Sequence, residues 1–152
     1  MKHLTLLFLL FFAGHSASAQ STVGEFIANA ATANHLEAIV SNFGLNDLLQ
    51  NATEVTVFVP TDEAVENYAA SLGFEIGDFL VSDEAEKMAK YHVILDQTLL
   101  YASITAEADV LTASGTSMTC TNQNGIASAN DVSVTTADVT LNNGAVHLIQ
   151  EI

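Results

Sequence analysis

The apolar residues of this chain keep two different periods, and the point where one gives way to the other limits what the chain can fold into. From Thr22 to His92 most of them recur every three or four residues, interrupted once by the run Val55-Thr56-Val57-Phe58-Val59. From Val110 onward Val, Ala, Thr and Ser alternate in short runs divided by Asn, Gly and Asp. The first pattern belongs to amphipathic helices and the second to half-buried strands. Helices gathered ahead of strands argue for an α+β chain and against the alternating units of a parallel α/β sheet.

Local chemistry marks where these elements begin and end. Thr22 and Glu25 have the spacing of a capping box ahead of an apolar stripe of Val23, Phe26, Ile27, Ala30 and Ala31. Asn34 and Glu37 repeat that spacing before Leu36, Ile39, Val40 and Phe43, and Gly44 suits the left-handed residue that ends a helix. Leu45, Leu48 and Leu49 allow a further turn or two, followed by a polar loop over Gln50, Asn51, Ala52 and Thr53. The β-branched run from Val55 reads as a buried strand that Pro60 stops. Thr61 then caps a helix with Asp62 and Glu63 in its first turn. Ser82 with Asp83, Glu84 and Glu86 does the same for a helix whose inner face is Ala85, Met88, Ala89 and His92. Antiparallel strands are expected at 110–113, 117–121, 125–129, 132–136, 139–141 and 145–149. Asn143-Gly144 has the composition of a hairpin turn in which both residues take positive φ.

Residues 1–19 have the parts of an export signal: Lys2 at the start, an apolar run from Leu4 to Ala13, and the small residues Ala17, Ser18 and Ala19. The run is cut by Gly14, His15 and Ser16, short of the ~20 apolar residues that span a membrane. Cleavage before Gln20 would leave residues 20–152 as one soluble domain. Its cations would be Lys87 and Lys90, set against 18 carboxylates. Nucleic acid is then excluded as a partner, because binding phosphate needs cationic side chains that displace counterions. Cys120 is the one cysteine and closes no intrachain disulfide; its alternation with Met118 on a strand reads as a buried side chain.

Three segments together resemble one family, the fasciclin-like (FAS1) domains. The stretch Thr56-Val57-Phe58-Val59-Pro60-Thr61-Asp62-Glu63-Ala64 is similar to the family's first motif, a strand running through proline into a capped helix. Tyr91-His92-Val93-Ile94-Leu95 resembles its tyrosine-histidine motif, and Asn143-Gly144-Ala145-Val146-His147-Leu148-Ile149 its last motif. The resemblance runs from Phe26 to Ile152. Val65 stands where phenylalanine is usual and Gln150 where aspartate is usual, and the chain stops before the customary Val-Leu-Leu-Pro, which would leave the last strand short and its neighbour's edge bare. The fold implied is a β-wedge or sandwich of about seven short strands with an N-terminal cluster of helices. The function implied is adhesion outside the cell, against an extracellular protein or glycan such as a cell-surface receptor, with no cofactor and no reaction. For a bacterial source that exterior includes the periplasm. Receptor contact in the family carries over to Tyr91, His92, Val93 and Leu95. A single domain offers one contact patch, and self-association would supply the avidity that one patch lacks.

The residues themselves offer little chemistry. His92 and His147 lack the spacing of metal-binding motifs, and a buried imidazole bonded to backbone accounts for each. No nucleophile elbow accompanies the serines, and the acidic pairs Asp62-Glu63 and Asp83-Glu84 sit at helix starts, where the dipole explains them. Tyr91 stands between two roles, a core ring with its hydroxyl satisfied or a half-exposed interface anchor. Asn51-Ala52-Thr53 is an N-glycosylation acceptor, usable in a eukaryotic source. A rival to adhesion is a groove between helices and strands that holds an apolar or sugar-like small molecule, which would need a concave pocket of ~300 Å³ or more.

Overall fold

A computed structural model describes residues 21–152; the expected export signal at 1–19 lies outside the described residues. Six helices and seven strands follow among the described residues in the order α1 (Val23–Asn29), α2 (Asn34–Asn42), α3 (Asn46–Asn51), β1 (Val55–Pro60), α4 (Asp62–Ser71), α5 (Ile76–Phe79), α6 (Asp83–Tyr91), β2 (Val93–Leu95), β3 (Glu107–Leu111), β4 (Ser117–Gln123), β5 (Ile126–Ala129), β6 (Val132–Leu141) and β7 (Gly144–Ile149). The α+β reading holds.

The strands form one sheet in the order β2-β1-β7-β6-β5-β4-β3. Its neighbours are antiparallel except β1 and β7, which run parallel from Val55↔Gly144 to Pro60↔Ile149. The sheet curls so far that its two ends touch, Ala113 N–H donating to the Val93 carbonyl beside β2 at 2.7 Å, and the result is a near-barrel wedge. Strand alternation divides β1, β2 and β7 between two cores. Val55, Val57, Val59, Val93 and Val146 face a cluster with α1 to α6 that includes Ile27, Leu36, Leu49, Val65 and Phe79. Phe58, Ile94 and Ile149 face the wedge interior with Leu99, Tyr101, Ile104, Met118 and Cys120. Burying each large apolar side chain in these clusters contributes about 2 kcal/mol. Pro60 fits because β2 pairs with β1 only at Val55, Thr56 and Val57, so the missing proline amide leaves no ladder bond unmade on that side.

The caps of α1, α4 and α6 are those expected, with Thr22, Thr61 and Ser82 each accepting from the third residue on. The box at Asn34 is not. Ala33 holds the cap position without a side-chain bond, while Asn34 donates to the Ala31 carbonyl and to Asp62 Oδ2, so its amide ties α2 to α4. Helix α3 runs on to Asn51, into the stretch expected as loop, and α5 has no counterpart among the expected helices. The strands expected at 132–136 and 139–141 are one strand, β6, bent by a bulge between Val134 and Val139.

The last hairpin is present with different turn residues. Asn142 and Asn143 form the turn between the paired Leu141 and Gly144, and neither Asn143 nor Gly144 has positive φ. Glycine is required at 144 for another reason: a Cβ there would lie 1.7 Å from the Val55 carbonyl oxygen. The positive-φ pairs sit instead at Asn124-Gly125 and Asn130-Asp131, the two-residue turns flanking β5. Nor is the last strand short or its neighbour bare, for β7 has six residues and is paired on both sides.

Candidate functional site

The site grows out of the end of α6. Asp83, Glu84 and Glu86 occupy its first turn and Lys90 its last, the arrangement the helix dipole favours, and Lys90 reaches Glu86 at 2.7 Å. The helix closes at His92, which is buried and donates from Nδ1 to the Met88 carbonyl at 2.7 Å. A carbonyl only accepts, so that bond fixes the tautomer with the proton on Nδ1. The His92 carbonyl in turn accepts from Phe58 N–H at 2.9 Å and pins the motif to β1. Burial pushes the His92 imidazole below its ordinary pKa, only partly offset by the Met88 bond.

Tyr91 is half-buried and stands edge-on to His92. Its hydroxyl accepts from Asn130 Nδ2 and points toward the Ser117 carbonyl at 3.4 Å. The ring is held by the β5–β6 turn on one side and the start of β4 on the other. Around it lies an open groove of about 450 Å³ lined by Tyr68, Lys87, Met88, Tyr91, His92 and Ile152. A tight apolar cavity of about 70 Å³ continues inward over Phe58, Met118, Val132 and Ile149.

Against Phe58, His147 fills the wedge interior. It is fully buried opposite Phe58 in the β1–β7 register, the two rings 5.1 Å apart. Its Nδ1 accepts the Asp138 amide at 3.0 Å and its Nε2–H donates to the Leu99 carbonyl at 2.9 Å. This is the opposite tautomer from His92, imposed by a donor on one nitrogen and an acceptor on the other. Asp138 sits in the β6 bulge at φ 61°. Its carboxylate accepts the amides of Tyr101 and Ala102 at 2.7 and 3.1 Å. Burial lowers the His147 pKa against smaller opposing effects of the Leu99 bond and the Asp138 charge. Burial likewise raises Tyr101 and Cys120, so neither supplies an anion.

Phe58, His92 and His147 therefore meet in one interior, while Pro60, Thr61 and Asp62 turn the chain from β1 into α4. Asn143 is a strut: its Oδ1 accepts from Val23 N–H and its Nδ2 donates to the carbonyls of Leu49 and Ala52. Of the four residues expected at a partner contact, His92 and Val93 are buried. Tyr91 and Leu95 keep exposed surface, so the segment can meet a partner through those two alone. Asn51 is exposed at the end of α3. Among the described residues no three His, Cys, Asp or Glu side chains cluster as a metal site would require, and no helix is long and apolar enough to cross a membrane. Asp138, Asn130 and Tyr101 join the site without a place in the motifs. A signal for Asp138 is nonetheless present: the apolar alternation of Val132 and Val134 shifts by one residue before Val139 and Leu141, which is the mark of a bulge.

Comparison with known proteins agrees with this architecture. Residues 31–152 match the fasciclin domain. The chain belongs to that family. Among curated proteins, this fasciclin domain is similar to Protein sll1483 of Synechocystis sp., 28% identical over 134 residues that span 86% of this chain and 72% of that protein. It is also similar to mouse Stabilin-1, 24% identical over 136 residues, covering 88% of this chain and 5% of that much longer protein. Among solved structures, the FAS1 domain pair from the insect cell adhesion molecule Fasciclin I superposes with a TM-score of 0.72 at 17% identity, over 88% of this chain and 50% of that one. At that identity the likeness speaks for the fold.

Proposed function

We propose that this fasciclin domain is an exported adhesion module that works by surface contact with an extracellular protein or glycan, without catalysis. The observation that carries the reading is the fixed, half-exposed ring of Tyr91 beside an open groove with an apolar floor. A tyrosine already immobilised by its hydroxyl loses little conformational entropy on contact, which is why such rings serve as interface anchors. That Fasciclin I is an insect cell adhesion molecule supports the same reading.

The test is retention of cells or matrix components on immobilised protein comprising residues 20–152. Tyr91→Ala and Leu95→Ala should each lower retention while the circular dichroism spectrum is kept, and a folded wild type that retains nothing across a panel of surfaces sinks the reading. A small-ligand role would use the same groove, whose volume of about 450 Å³ is sufficient. A sugar or apolar library compound that raises the melting temperature of the wild type but not of Tyr91→Ala would favour it.

A further inference from the structure

We propose that the free edge of β3 is a strand-addition site for an extended basic polypeptide segment, a surface separate from the Tyr91 groove and independent of the adhesion reading. β3 ends the sheet and pairs on one side only, with β4. The bonds that close this ladder run from Asn122 N–H to the Ala106 carbonyl and from Thr112 N–H to the Thr116 carbonyl. In an antiparallel pair the inward-bonded residues alternate with outward ones. Ala106, Ala108, Val110 and Thr112 therefore turn their backbone groups toward β4, and Glu107, Asp109 and Leu111 turn theirs away from the sheet. The next outward amide in the series, Ala113, already donates across the gap to Val93 at 2.7 Å. That bond is where the two sheet ends meet; among the described residues Leu111, Asp109 and Glu107 have no ladder partner on this side.

The side chains on this edge choose the occupant. Glu107 and Asp109 are exposed, and Leu111 is 66% exposed beside them. The adjoining cleft of about 660 Å³ adds Asp131 to Glu107 among Thr119, Thr121 and Ser128, with no cationic side chain in its lining. A second copy of the chain would bring the same carboxylates to the same edge and be repelled, the way natural edges avoid pairing with themselves. A strand with Lys or Arg at alternate positions meets charges of opposite sign and supplies the missing backbone bonds, while Leu111 offers an apolar contact at one end.

The experiment titrates the whole protein into a fluorescent peptide of alternating Lys and Val, following anisotropy at low salt and at about 0.5 M salt, with amide hydrogen exchange as a second readout. Saturable binding that weakens in salt is expected, with slowed exchange at Glu107, Asp109 and Leu111. Asp109→Lys should weaken it about tenfold, and Leu111→Pro, which removes an outward amide, should weaken it while the circular dichroism spectrum is unchanged. The same peptide N-methylated at alternate residues should not bind, because it cannot complete the ladder. Equal binding by the N-methylated peptide would reduce the effect to charge alone and overturn the proposal. Absence of binding, protection elsewhere, or a concentration-dependent dimer that Leu111→Pro abolishes would overturn it equally, the last by assigning the edge to a second copy.

Discussion

On the helix side of β1, Val55, Val57 and Val59 belong to a cluster of aliphatic and aromatic side chains in which Phe79 packs edge-on against Tyr68 and Phe74. On the wedge side of the same strand, Thr56 and Phe58 face an interior that contains His147, Tyr101 and Cys120. There each buried polar atom is matched. Thr56 Oγ1 donates to the Gln97 carbonyl and accepts from Leu99 N–H at 2.9 and 2.8 Å, and Tyr101 Oη donates to the Ser128 carbonyl at 2.8 Å. Apolar packing is non-directional and asks for volume, whereas a buried hydrogen-bonding group asks for a partner at one place. One strand thus joins a half that tolerates repacking to a half that does not.

The largest effect is expected where the halves join. Gly144→Ala sets a methyl group on the Val55 carbonyl, and neither backbone can retreat without breaking the parallel register that aligns Phe58 with His147. We expect a loss on the order of 4 kcal/mol, seen as failure to refold or a collapse of the urea midpoint. A mild loss would show that β1 and β7 can slide and that the two halves are less tightly joined than the geometry implies.

The next comparison sets volume against direction. Leu49→Met, at a fully buried position on the helix side, roughly keeps volume and should cost about 1 kcal/mol. His147→Phe, on the wedge side, also fills its space, but it orphans the Asp138 amide and the Leu99 carbonyl and should cost about 3 kcal/mol. Equal losses from the two would erase the distinction between the halves.

Acid should act in the same direction more gently, since protonation disturbs one of the two His147 bonds where substitution removes both. His92 and His147 are both held below the ordinary histidine pKa by burial. The folded state then binds fewer protons than the unfolded chain, so stability rises with pH through this range. The contribution is complete above the unfolded value of about 6.5 and drains away as pH falls below it. Melting temperature should drop between about pH 7.5 and 5, and the drop should shrink in His147→Phe if that variant folds. A flat profile would mean that the proton finds room beside the Asp138 carboxylate, 3.8 Å away.

The helix half is the more legible in the sequence, for the same physical reason. Caps at Thr22, Thr61 and Ser82 depend on residues within one turn, and so does the left-handed Gly44 at φ 66°. The wedge depends on partners far along the chain. Asn143 reads as half of a turn and serves as a strut to α1 and α3, across separations of 120 and 94 residues. Gly144 reads as the other half and is glycine because β1 passes over it. Asp138 has no local role that spacing could reveal beyond the shift of alternation in β6. Asn34 departs from its expected role in the helix half for the same cause, its amide being engaged by Asp62 from α4. Tyr91 stays undecided in the sequence because its hydroxyl partner, Asn130, lies 39 residues away.

The smallest effects test whether the helix half is as local as this suggests. Thr22→Ala removes one cap bond, and Ser82→Ala removes its cap bond together with the Oγ donation to the Phe79 carbonyl; each should cost about 1 kcal/mol. The two caps belong to different helices and share no hydrogen-bond partner, so the double variant should equal the sum within about 0.5 kcal/mol. A matching cycle on the wedge side, Asp138→Ala with His147→Phe, should not add. Removing Asp138's carboxylate frees the segment at Tyr101 and Ala102 that carries Leu99 to His147, so the second change finds part of its damage already done. Additivity in both cycles would show that the wedge interior is a set of independent bonds, and that the contrast between the halves lies in composition without coupling.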